Sequence, residues 1–380
     1  MKNLLIKLYL SYIRYFAKIQ LKKINPVIIG IGGASGKTST ALLIGKVLGS
    51  KFRVKEGKGK NSETGIPLNI LDIDVDNYTI KEWLRVLFLA PLKIITNNKK
   101  YEFLVLEMGI DSPKPPKNME YLLSIVTPNV GLLTNIDIEH SFNFDNLINE
   151  EDELKRREQI LNLTAKEEGK LLKSIDSNGT SIVNLDDSNI KDLLPLKSKV
   201  VTISALDKSA DFYISSIQVS EKSFTVNFIF LKDRYSLNIP KPLPKYFAYS
   251  LLETVATAFV CKFSINEAVR LIEENFSFPP GRFSVFEGIK DTTIIDSSYN
   301  SSLTAAKGAI EILKDIKPGR RVGILGDMRE LGTLGRVQHE ELAKVILKNL
   351  DFVILIGPLT GEYVAPILEK NNIKFKKFET

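Results

Sequence analysis

Cysteine, histidine and tryptophan are scarce in this chain of 380 residues, which has one, two and one of them, respectively. The single cysteine, Cys261, excludes an intrachain disulfide and is typical of a reducing compartment, so we expect a cytoplasmic protein. So few cysteines and histidines also exclude the ligand cluster of a structural zinc site.

A long uncharged apolar run is missing from the N-terminus. Lys7, Arg14 and Lys18 interrupt its apolar residues, so nothing there approaches the ~20 apolar residues of a membrane span. No small-residue cleavage site follows, which argues against a signal peptide. The pattern predicts an amphipathic helix over residues 1–25. Residues 3–21 of that helix suit either peripheral contact with an anionic membrane or packing on the protein body, and the sequence leaves both open.

The chain is mildly basic, with a formal net charge of +7. Its lysines are spread among many acidic residues and no RNA-binding signature accompanies them, so we expect no nucleic-acid partner. The charge favours anionic small substrates such as nucleotides. The length favours two domains over one.

Residues 31–40 read IGGASGKTST and directly follow the apolar run 27–29. A buried strand, a glycine turn and a helix that opens with Gly-Lys-Thr are typical of a nucleoside triphosphate site, because backbone N–H groups there point at phosphate. The expected cradle consists of Gly33, Ala34, Ser35, Gly36, Lys37, Thr38 and Ser39. Lys37 would reach the β- and γ-phosphates, and the Thr38 hydroxyl would bind Mg²⁺. The general phosphate loop has a glycine where this chain has Ile31, so the alternative is a simple glycine turn beside an exposed lysine.

Strands and helices alternate from residue 26 to about 135, which predicts a mainly parallel α/β sheet with helices on both faces. Residues 80–95 are expected to be helical with a break at Pro91. Residues 181–240 predict an antiparallel annex. The segment 278–281 predicts a hinge, after which a smaller Rossmann-like α/β domain begins with a strand at 292–296. We therefore expect an N-terminal helix (1–25), a central domain (26–279) and a C-terminal domain (280–380).

Two functional residue types follow predicted strands of the central domain. Glu107 ends the segment LVLE, and His140 ends LTNIDIEH. Ligands of open α/β sheets bind at the carboxyl ends of strands, so both should converge with Lys37 and Thr38. A carboxylate, a hydroxyl and an imidazole around phosphates form a reasonable magnesium environment.

Three further motifs, KGKNSETGIPLNIL (58–71), IIDSSYNSS (294–302) and GILGDMRELG (323–332), complete the pattern. With them the chain resembles the Mur ligase family from about residue 26 to 380. The resemblance implies a ligase that uses ATP and Mg²⁺ to phosphorylate a carboxylate, after which an amine attacks the acyl phosphate. The implied partners are a peptide-bearing cell-wall precursor and an amino acid or dipeptide. We expect the protein to be a monomer.

The resemblance also assigns roles, residue by residue. It implies Thr38 and Glu107 at a first magnesium ion and His140 at a second. The remaining assignments are Asn61 facing the substrate, Asn184 near the adenine, Arg282, Asp296 and Asn300 reaching the nucleotide from the C-terminal domain, and His339 where the amine enters.

This chain departs from the family at several points. The family's carbamoylated lysine aligns near Arg157, so either Lys155 replaces it in catalysis or this magnesium ligand is lost. The adenine segment reads PKYFAYSLL, in which Tyr246 or Phe247 would stack on the base and ATP is less firmly implied over GTP. We expect no UDP-binding N-terminal domain and a shortened C-terminal domain. Two alternatives therefore stay open, namely a ligase for a substrate without UDP and a catalytically silent nucleotide-binding scaffold held at the membrane by residues 3–21.

Overall fold

A nine-stranded sheet organises the larger part of this computed structural model, which describes residues 2–57, 59–77, 79–139, 142–277, 280–316 and 319–379. The strand order is β2-β3-β1-β4-β5-β6-β7-β8-β9. The strands are β1 (Val27–Gly32), β2 (Val54–Glu56), β3 (Phe103–Glu107), β4 (Val130–Leu133), β5 (Thr180–Asn184), β6 (Lys199–Ser204), β7 (Phe212–Val219), β8 (Phe224–Phe230) and β9 (Asp233–Ile239).

The sheet is mainly parallel, as the alternating pattern predicted. Strands β1 and β3 are continuous apolar runs because helices cover both of their faces. The antiparallel annex predicted within residues 181–240 is present as β7, β8 and β9, and it continues the same sheet. Strand β7 pairs in parallel with β6, and only then do β8 and β9 add antiparallel hairpins.

Helices cover the two faces of this sheet around separate apolar cores. One face carries α2 (Lys37–Gly49), α10 (Phe247–Val260) and α11 (Ile265–Asn275). The other face carries α1 (Lys2–Ile24), α3 (Gly65–Leu71), α4 (Ile80–Thr96), α5 (Met119–Ile125), α6 (Phe142–Asp145), α7 (Glu153–Glu168), α8 (Lys170–Lys173) and α9 (Ser188–Lys191).

Helix α4 runs through Pro91, so the predicted break is wrong. Proline lacks an N–H group and leaves the carbonyl four residues earlier, at Leu87, without its helical partner. The Tyr12 hydroxyl of α1 donates to that carbonyl at 2.8 Å. A tertiary contact that the local sequence does not reveal thus satisfies the carbonyl that proline leaves free.

Helix α1 packs one face on the protein body. Leu10, Ile13 and Ala17 are buried there, and Arg14 donates to the Ser124 hydroxyl at 2.8 Å. Of the two alternatives for this helix, packing on the body is therefore present, and membrane contact stays a prediction. Among the described residues, no helix has the combined length and apolar character needed to cross a membrane.

A second, smaller α/β unit follows. Its parallel sheet consists of β12 (Val322–Gly326), β13 (Phe352–Ile356) and β14 (Lys374–Phe378). Its helices are α12 (Leu303–Glu311), α13 (Leu313–Ile316), α14 (Gly335–Asn349) and α15 (Ala365–Lys370). The predicted strand at 292–296 is not part of that sheet. As β11 (Thr293–Asp296) it pairs antiparallel with β10 (Ser284–Glu287), a strand that the sequence pattern did not show.

Apolar packing crosses the predicted domain boundary. Phe278 and Pro279 of the predicted hinge lie outside the described residues, while Gly281 has a φ of 73°. Just beyond it, Phe283 is 2% exposed, and its ring centroid lies 6.0 Å from that of Phe247 on α10. The division at residue 280 stays a prediction.

Candidate nucleotide and magnesium site

The loop between β1 and α2 has the backbone conformation of a phosphate cradle. Gly33 and Gly36 have backbone φ values of 107° and 90°, which residues other than glycine rarely adopt. A Cβ atom on Gly33 would also lie 2.6 Å from the Thr134 hydroxyl oxygen. Both glycines are therefore required by this turn, one of them by close approach as well.

Residues after β4 hold the loop from beneath. The Ala34 N–H donates to the Asn135 carbonyl at 2.9 Å, and the Ser35 N–H donates to the Asn135 side-chain oxygen at 2.9 Å. The Thr134 hydroxyl donates to the Ser35 carbonyl at 2.6 Å. The Thr-Asn pair of the LTNIDIEH motif thus fixes the cradle in shape.

Helix α2 begins with unsatisfied donors directed at the cradle. Its N-cap, Gly36, makes no side-chain capping bond, and no acidic residue lies in the first turn. Such a helix start favours an anion through its free N–H groups and dipole. The Lys37 ammonium folds back over the loop and donates to the carbonyls of Gly33 and Ala34, at 2.5 and 2.6 Å. The N–H groups of Lys37, Thr38 and Ser39, in the first turn, fit phosphate oxygens.

Thr38 and Glu107 meet at the edge of the cradle, as the sequence predicted. The Thr38 hydroxyl donates to the Glu107 carboxylate at 2.9 Å. The parallel register places Glu107 beside Ile31, so this buried carboxylate emerges next to the loop. Two hard oxygen ligands at a phosphate site fit Mg²⁺. His140, expected at the second ion, lies outside the described residues, among which no group of three His, Cys, Asp or Glu is placed to hold a metal.

Glu168, at the end of α7, is a cradle residue that sequence reasoning missed. It is fully buried and accepts the Gly33 N–H at 3.1 Å. Burial raises the pKa of Glu168 to about 7, and the nearby charge of Lys37 opposes that rise. The surrounding KEEG segment is typical of a solvated helix end, so no local signal indicated its position.

Glu139 and Asp137 are two more missed residues, immediately before His140. The Glu139 carboxylate accepts a short hydrogen bond from the Ser35 hydroxyl, and Asp137 accepts one from Thr304 on α12 at 2.7 Å. They line a crevice between the two α/β units, together with Asn300 and Glu330. Their position shortly after strand β4, within LTNIDIEH, is the sequence signal that indicates them.

Asn61 lies beside the turn that follows Glu107. Its carbonyl accepts the Gly109 N–H at 3.1 Å, and its side-chain amide would lie 3.1 Å from a Cβ on Gly109. Asn61 therefore contacts the residue two positions after Glu107, and its assignment to the substrate stays a prediction.

The expected adenine residues are differently placed. The buried Asn184 side chain accepts the Asp186 N–H at 3.0 Å and so stabilises its own turn. Phe247 is 4% exposed and stacks on Tyr246, with ring centroids 4.6 Å apart. The expectation that Phe247 could stack on a base is therefore wrong in this structure, because the ring belongs to the core. Tyr246 packs against Gly308 of α12 on its other side.

The C-terminal residues expected at the nucleotide lie in a more open loop. The Arg282 guanidinium lies 4.0 Å from the Tyr299 ring centroid, a cation–π contact. Asp296 accepts the Ser298 N–H at 3.0 Å, and Asn300 is exposed at the crevice. Among the described residues, none of the three forms a hydrogen bond to the cradle. Their nucleotide roles stay predictions.

The His339 ring is enclosed within the C-terminal unit, and its assignment to the side where the amine enters stays a prediction. It is fully buried on α14, where Nε2 accepts the Met328 N–H at 3.1 Å and Nδ1 donates to the Gly335 carbonyl at 2.6 Å. Burial lowers the pKa of His339, in agreement with this neutral ring. The geometry favours a positioning role for the GDMRELG loop over direct catalysis.

Lys155 and Arg157 differ in environment. Lys155 is exposed in the first turn of α7, and its backbone N–H is capped by Asp152 at 2.9 Å. Arg157 is half-buried, and its Nε has no hydrogen-bond partner among the described residues. An exposed ammonium suits the solvated alternative, and the carbamate on Lys155 stays a prediction.

The loop that contains the GDMRELG motif, residues 326–332, docks on the larger unit next to Asp145 of α6. This carboxylate, 2% exposed, accepts Arg156 Nε at 2.5 Å and the N–H and hydroxyl of Thr333 at 2.7 and 3.0 Å. Within the loop, Asp327 accepts the N–H groups of Leu359 and Thr360. The motif therefore has a structural role as a docking element.

Comparisons with known proteins agree with this arrangement. Residues 31–258 match the family model of the Mur ligase middle domain, and residues 281–377 match that of the Mur ligase glutamate ligase domain. The chain belongs to the Mur ligase family.

Curated relatives from two bacteria share the same enzyme name. The chain is 26% identical over 346 residues to the UDP-N-acetylmuramoyl-tripeptide–D-alanyl-D-alanine ligase of Buchnera aphidicola, covering 89% of this chain and 65% of that one. It is 23% identical over 359 residues to the ligase of the same name from Bacillus subtilis, covering 94% and 68%. The chain thus spans about two thirds of the length of these curated relatives.

Solved structures share the fold. MurF from Acinetobacter baumannii has a TM-score of 0.77 at 19% identity, covering 98% of this chain and 71% of that one. MurF from Thermotoga maritima, solved in complex with ADP, has a TM-score of 0.73 at 23% identity, covering 97% and 74%.

Proposed function

We propose that this chain is an ATP-dependent amide ligase that acts through an acyl phosphate. The observation that carries the proposal is the Thr38–Glu107 pair beside the braced cradle of Gly33–Ser39. This arrangement suits a triphosphate with its magnesium ion, in a chain that belongs to the Mur ligase family. The bound ion would neutralise phosphate charge, and Thr38 and Glu107 would hold it.

The proposed reaction begins with transfer of one phosphoryl group from ATP to a carboxylate. A carboxylate oxygen of the acceptor forms a bond to the γ-phosphorus while the bond between that phosphorus and the β-bridging oxygen of ATP breaks, leaving ADP. The amine nitrogen then forms a bond to the acyl carbon, phosphate departs and the amine proton is lost. The role of Lys37 is to hold the transferred phosphoryl group in line, since positioning and charge neutralisation dominate this chemistry.

The names of the relatives indicate the substrates to propose. They are a UDP-N-acetylmuramoyl-tripeptide, whose carboxylate would be activated, and D-alanyl-D-alanine, whose amine would attack. Asn61, near Glu107, is the residue that we expect on the acceptor side. We infer a monomeric protein that works in the cytoplasm, with residues 3–21 as its expected membrane contact.

Phosphate release tests this proposal. With Mg²⁺ and ATP, release should require both UDP-N-acetylmuramoyl-tripeptide and D-alanyl-D-alanine. Hydroxylamine in place of the amine should give a hydroxamate, which reports the acyl phosphate. The same assay with the UDP-free muramoyl-tripeptide distinguishes the alternative ligase. ATP binding with no release under any of these conditions would favour the silent scaffold.

The proposed carbamate on Lys155 has its own test. If it supports a second magnesium ion beside His140, then Lys155→Ala should lose ligation, and added bicarbonate or a short carboxylic acid should change or restore it. Glu158→Ala, an exposed change on the same helix, serves as the control. Full activity in Lys155→Ala would contradict the carbamate.

A further inference from the structure

Helix α4 has apolar residues on two opposite faces. Val86 and Ala90 are buried against the protein. A second row is exposed, with exposed fractions from 49 to 82%, and consists of Ile80, Leu84, Phe88, Leu92 and Ile95. Spacings of four, four, four and three residues place this row along one side of the helix. Core packing cannot account for it.

Helix α1 repeats the arrangement. Leu10, Ile13 and Ala17 are buried. The opposite side carries apolar residues that are 59 to 62% exposed, namely Leu4, Leu5, Leu8 and Tyr15. Helical spacing places Leu4, Leu8 and Tyr15 on one face of the helix.

The two helices lie side by side and run in the same direction. Going along α1, Tyr9 contacts Trp83 at a ring separation of 4.3 Å, and Tyr12 bonds Leu87. Further on, Gln20 donates to the carbonyl of Asn97, just after α4, at 3.0 Å. The buried residues of both helices face the same core, so their exposed rows lie together on the outer side. We call these two rows, from Leu4 to Tyr15 and from Ile80 to Ile95, the two-helix face.

Positive charge is concentrated in the same two helices. Helix α1 has six Lys or Arg and no acidic residue, and α4 has three, with the single acidic residue Glu82. Because the whole chain has a net charge of +7, the rest is close to neutral. The exposed Lys18 and Lys22 lie on or beside the outer side of α1 by helical spacing. Apolar side chains are thus flanked by ammonium groups.

We propose that the two-helix face binds the surface of an anionic lipid bilayer. The apolar rows would enter the boundary between headgroups and acyl chains, and the lysines would contact lipid phosphates. A second copy of this chain is a poor occupant because it would bring two strongly cationic surfaces together. The face lies on the other side of the sheet from α2, so the bound protein keeps its phosphate cradle open to solution. This proposal is independent of the proposed ligase chemistry.

Vesicle co-sedimentation tests the proposal with the full chain. Vesicles of phosphatidylcholine with phosphatidylglycerol are compared with phosphatidylcholine alone, at low and high salt. Leu84→Gln/Phe88→Gln removes two exposed apolar side chains and keeps helix-forming residues, and circular dichroism checks its fold. Leu206→Gln/Ile289→Gln is the matched control, because those residues are 81 and 84% exposed elsewhere. Trp83, the only tryptophan, reports contact at the face by its emission.

We expect native protein and control to bind the anionic vesicles equally, with a blue shift of Trp83 emission. The Leu84→Gln/Phe88→Gln variant should bind at least about tenfold more weakly, and salt should weaken native binding. Lack of native binding, or equal binding by both double variants, would overturn the proposal. So would a native dimer that the variant abolishes without any vesicle binding. Phosphate release from soluble substrates should be the same in all three proteins, which separates this test from that of the ligase.

Discussion

The cradle of the large sheet and the loop of the C-terminal unit differ in how firmly they are held. The N–H groups of Gly33, Ala34 and Ser35 donate to Glu168 and Asn135, and the Ser35 carbonyl accepts the Thr134 hydroxyl. Across the crevice, Arg282 lies against the exposed Tyr299 ring, and the side chains of Asp296 and Asn300 accept N–H groups of their own loop, from Ser298 and Ser301. We infer that the phosphate half of the site is preformed, and that the other half depends on how the second unit docks.

The largest effect is expected from removing the charge of the preformed half. Lys37→Ala should lower ATP turnover by about 100-fold or more, because the transferred phosphoryl group loses its cation. The fold should stay intact, since Lys37 bonds only loop carbonyls. Turnover is measured by phosphate release, and Lys51→Ala, whose exposed ammonium pairs with Glu267, is the control. Native turnover in Lys37→Ala would show that the cradle holds no phosphate.

The next effect concerns docking. Asp145→Ala should lower the free energy of unfolding by about 3 kcal/mol, because it leaves the half-buried Arg156 without its carboxylate and Thr333 without its acceptor. Thermal melting measures the loss, and Asp111→Ala, which breaks the exposed pair with Lys117, is the control. Equal melting of the two variants would mean that the Asp145 contacts do not hold the units together.

The free energy of unfolding should depend on pH through Glu168, which lies beneath the cradle. The pKa of Glu168 is raised to about 7 from its ordinary 4.5, so the folded state holds this proton more tightly than the unfolded state. Its contribution to stability is therefore greatest below about pH 4.5, falls between pH 4.5 and 7, and is constant above. Glu168→Gln keeps an acceptor for Gly33 and should remove that slope, with a gain of roughly 3 kcal/mol at pH 8.

The affinity for nucleotide should also depend on the ionisation of Glu168. A bound triphosphate disfavours an ionised Glu168, so native affinity should decline as pH rises through 7, and Glu168→Gln should be flat. Calorimetric titration with a non-hydrolysable ATP analogue at pH 6 and 8 measures this. A native affinity equal at both values would contradict the assignment.

The smallest effect is expected in the open half. Arg282→Ala should weaken binding of the ATP analogue by only about fivefold, since its cation–π contact is exposed and any phosphate contact awaits docking. Small-angle scattering should show compaction of the native chain when the analogue binds. Unchanged affinity together with unchanged scattering would remove Arg282 from the site.

Local sequence was sufficient where one segment dictated its own geometry. The strand, glycine turn and helix around Lys37 and the emergence of Glu107 beside it follow from periodicity and parallel strand register. Local sequence was insufficient where contacts with residues distant in the chain determine the position of a side chain or the course of a helix. Glu168 reaches Gly33 from 135 positions away, and Phe247 is buried because Phe283 covers it. Tyr12 satisfies the Leu87 carbonyl that Pro91 leaves free, a contact between residues 75 positions apart.

Hydrogen exchange with and without the ATP analogue and Mg²⁺ tests the preformed cradle most directly. We expect the amides of residues 36–39 to become strongly protected, because their free N–H groups would donate to phosphate, while the amides of 34 and 35, already bonded to Asn135, change little. The loop 296–302 should gain protection at the amides that are not bonded within the loop or to Gly281. Unchanged exchange at 36–39 in saturating analogue would contradict the account.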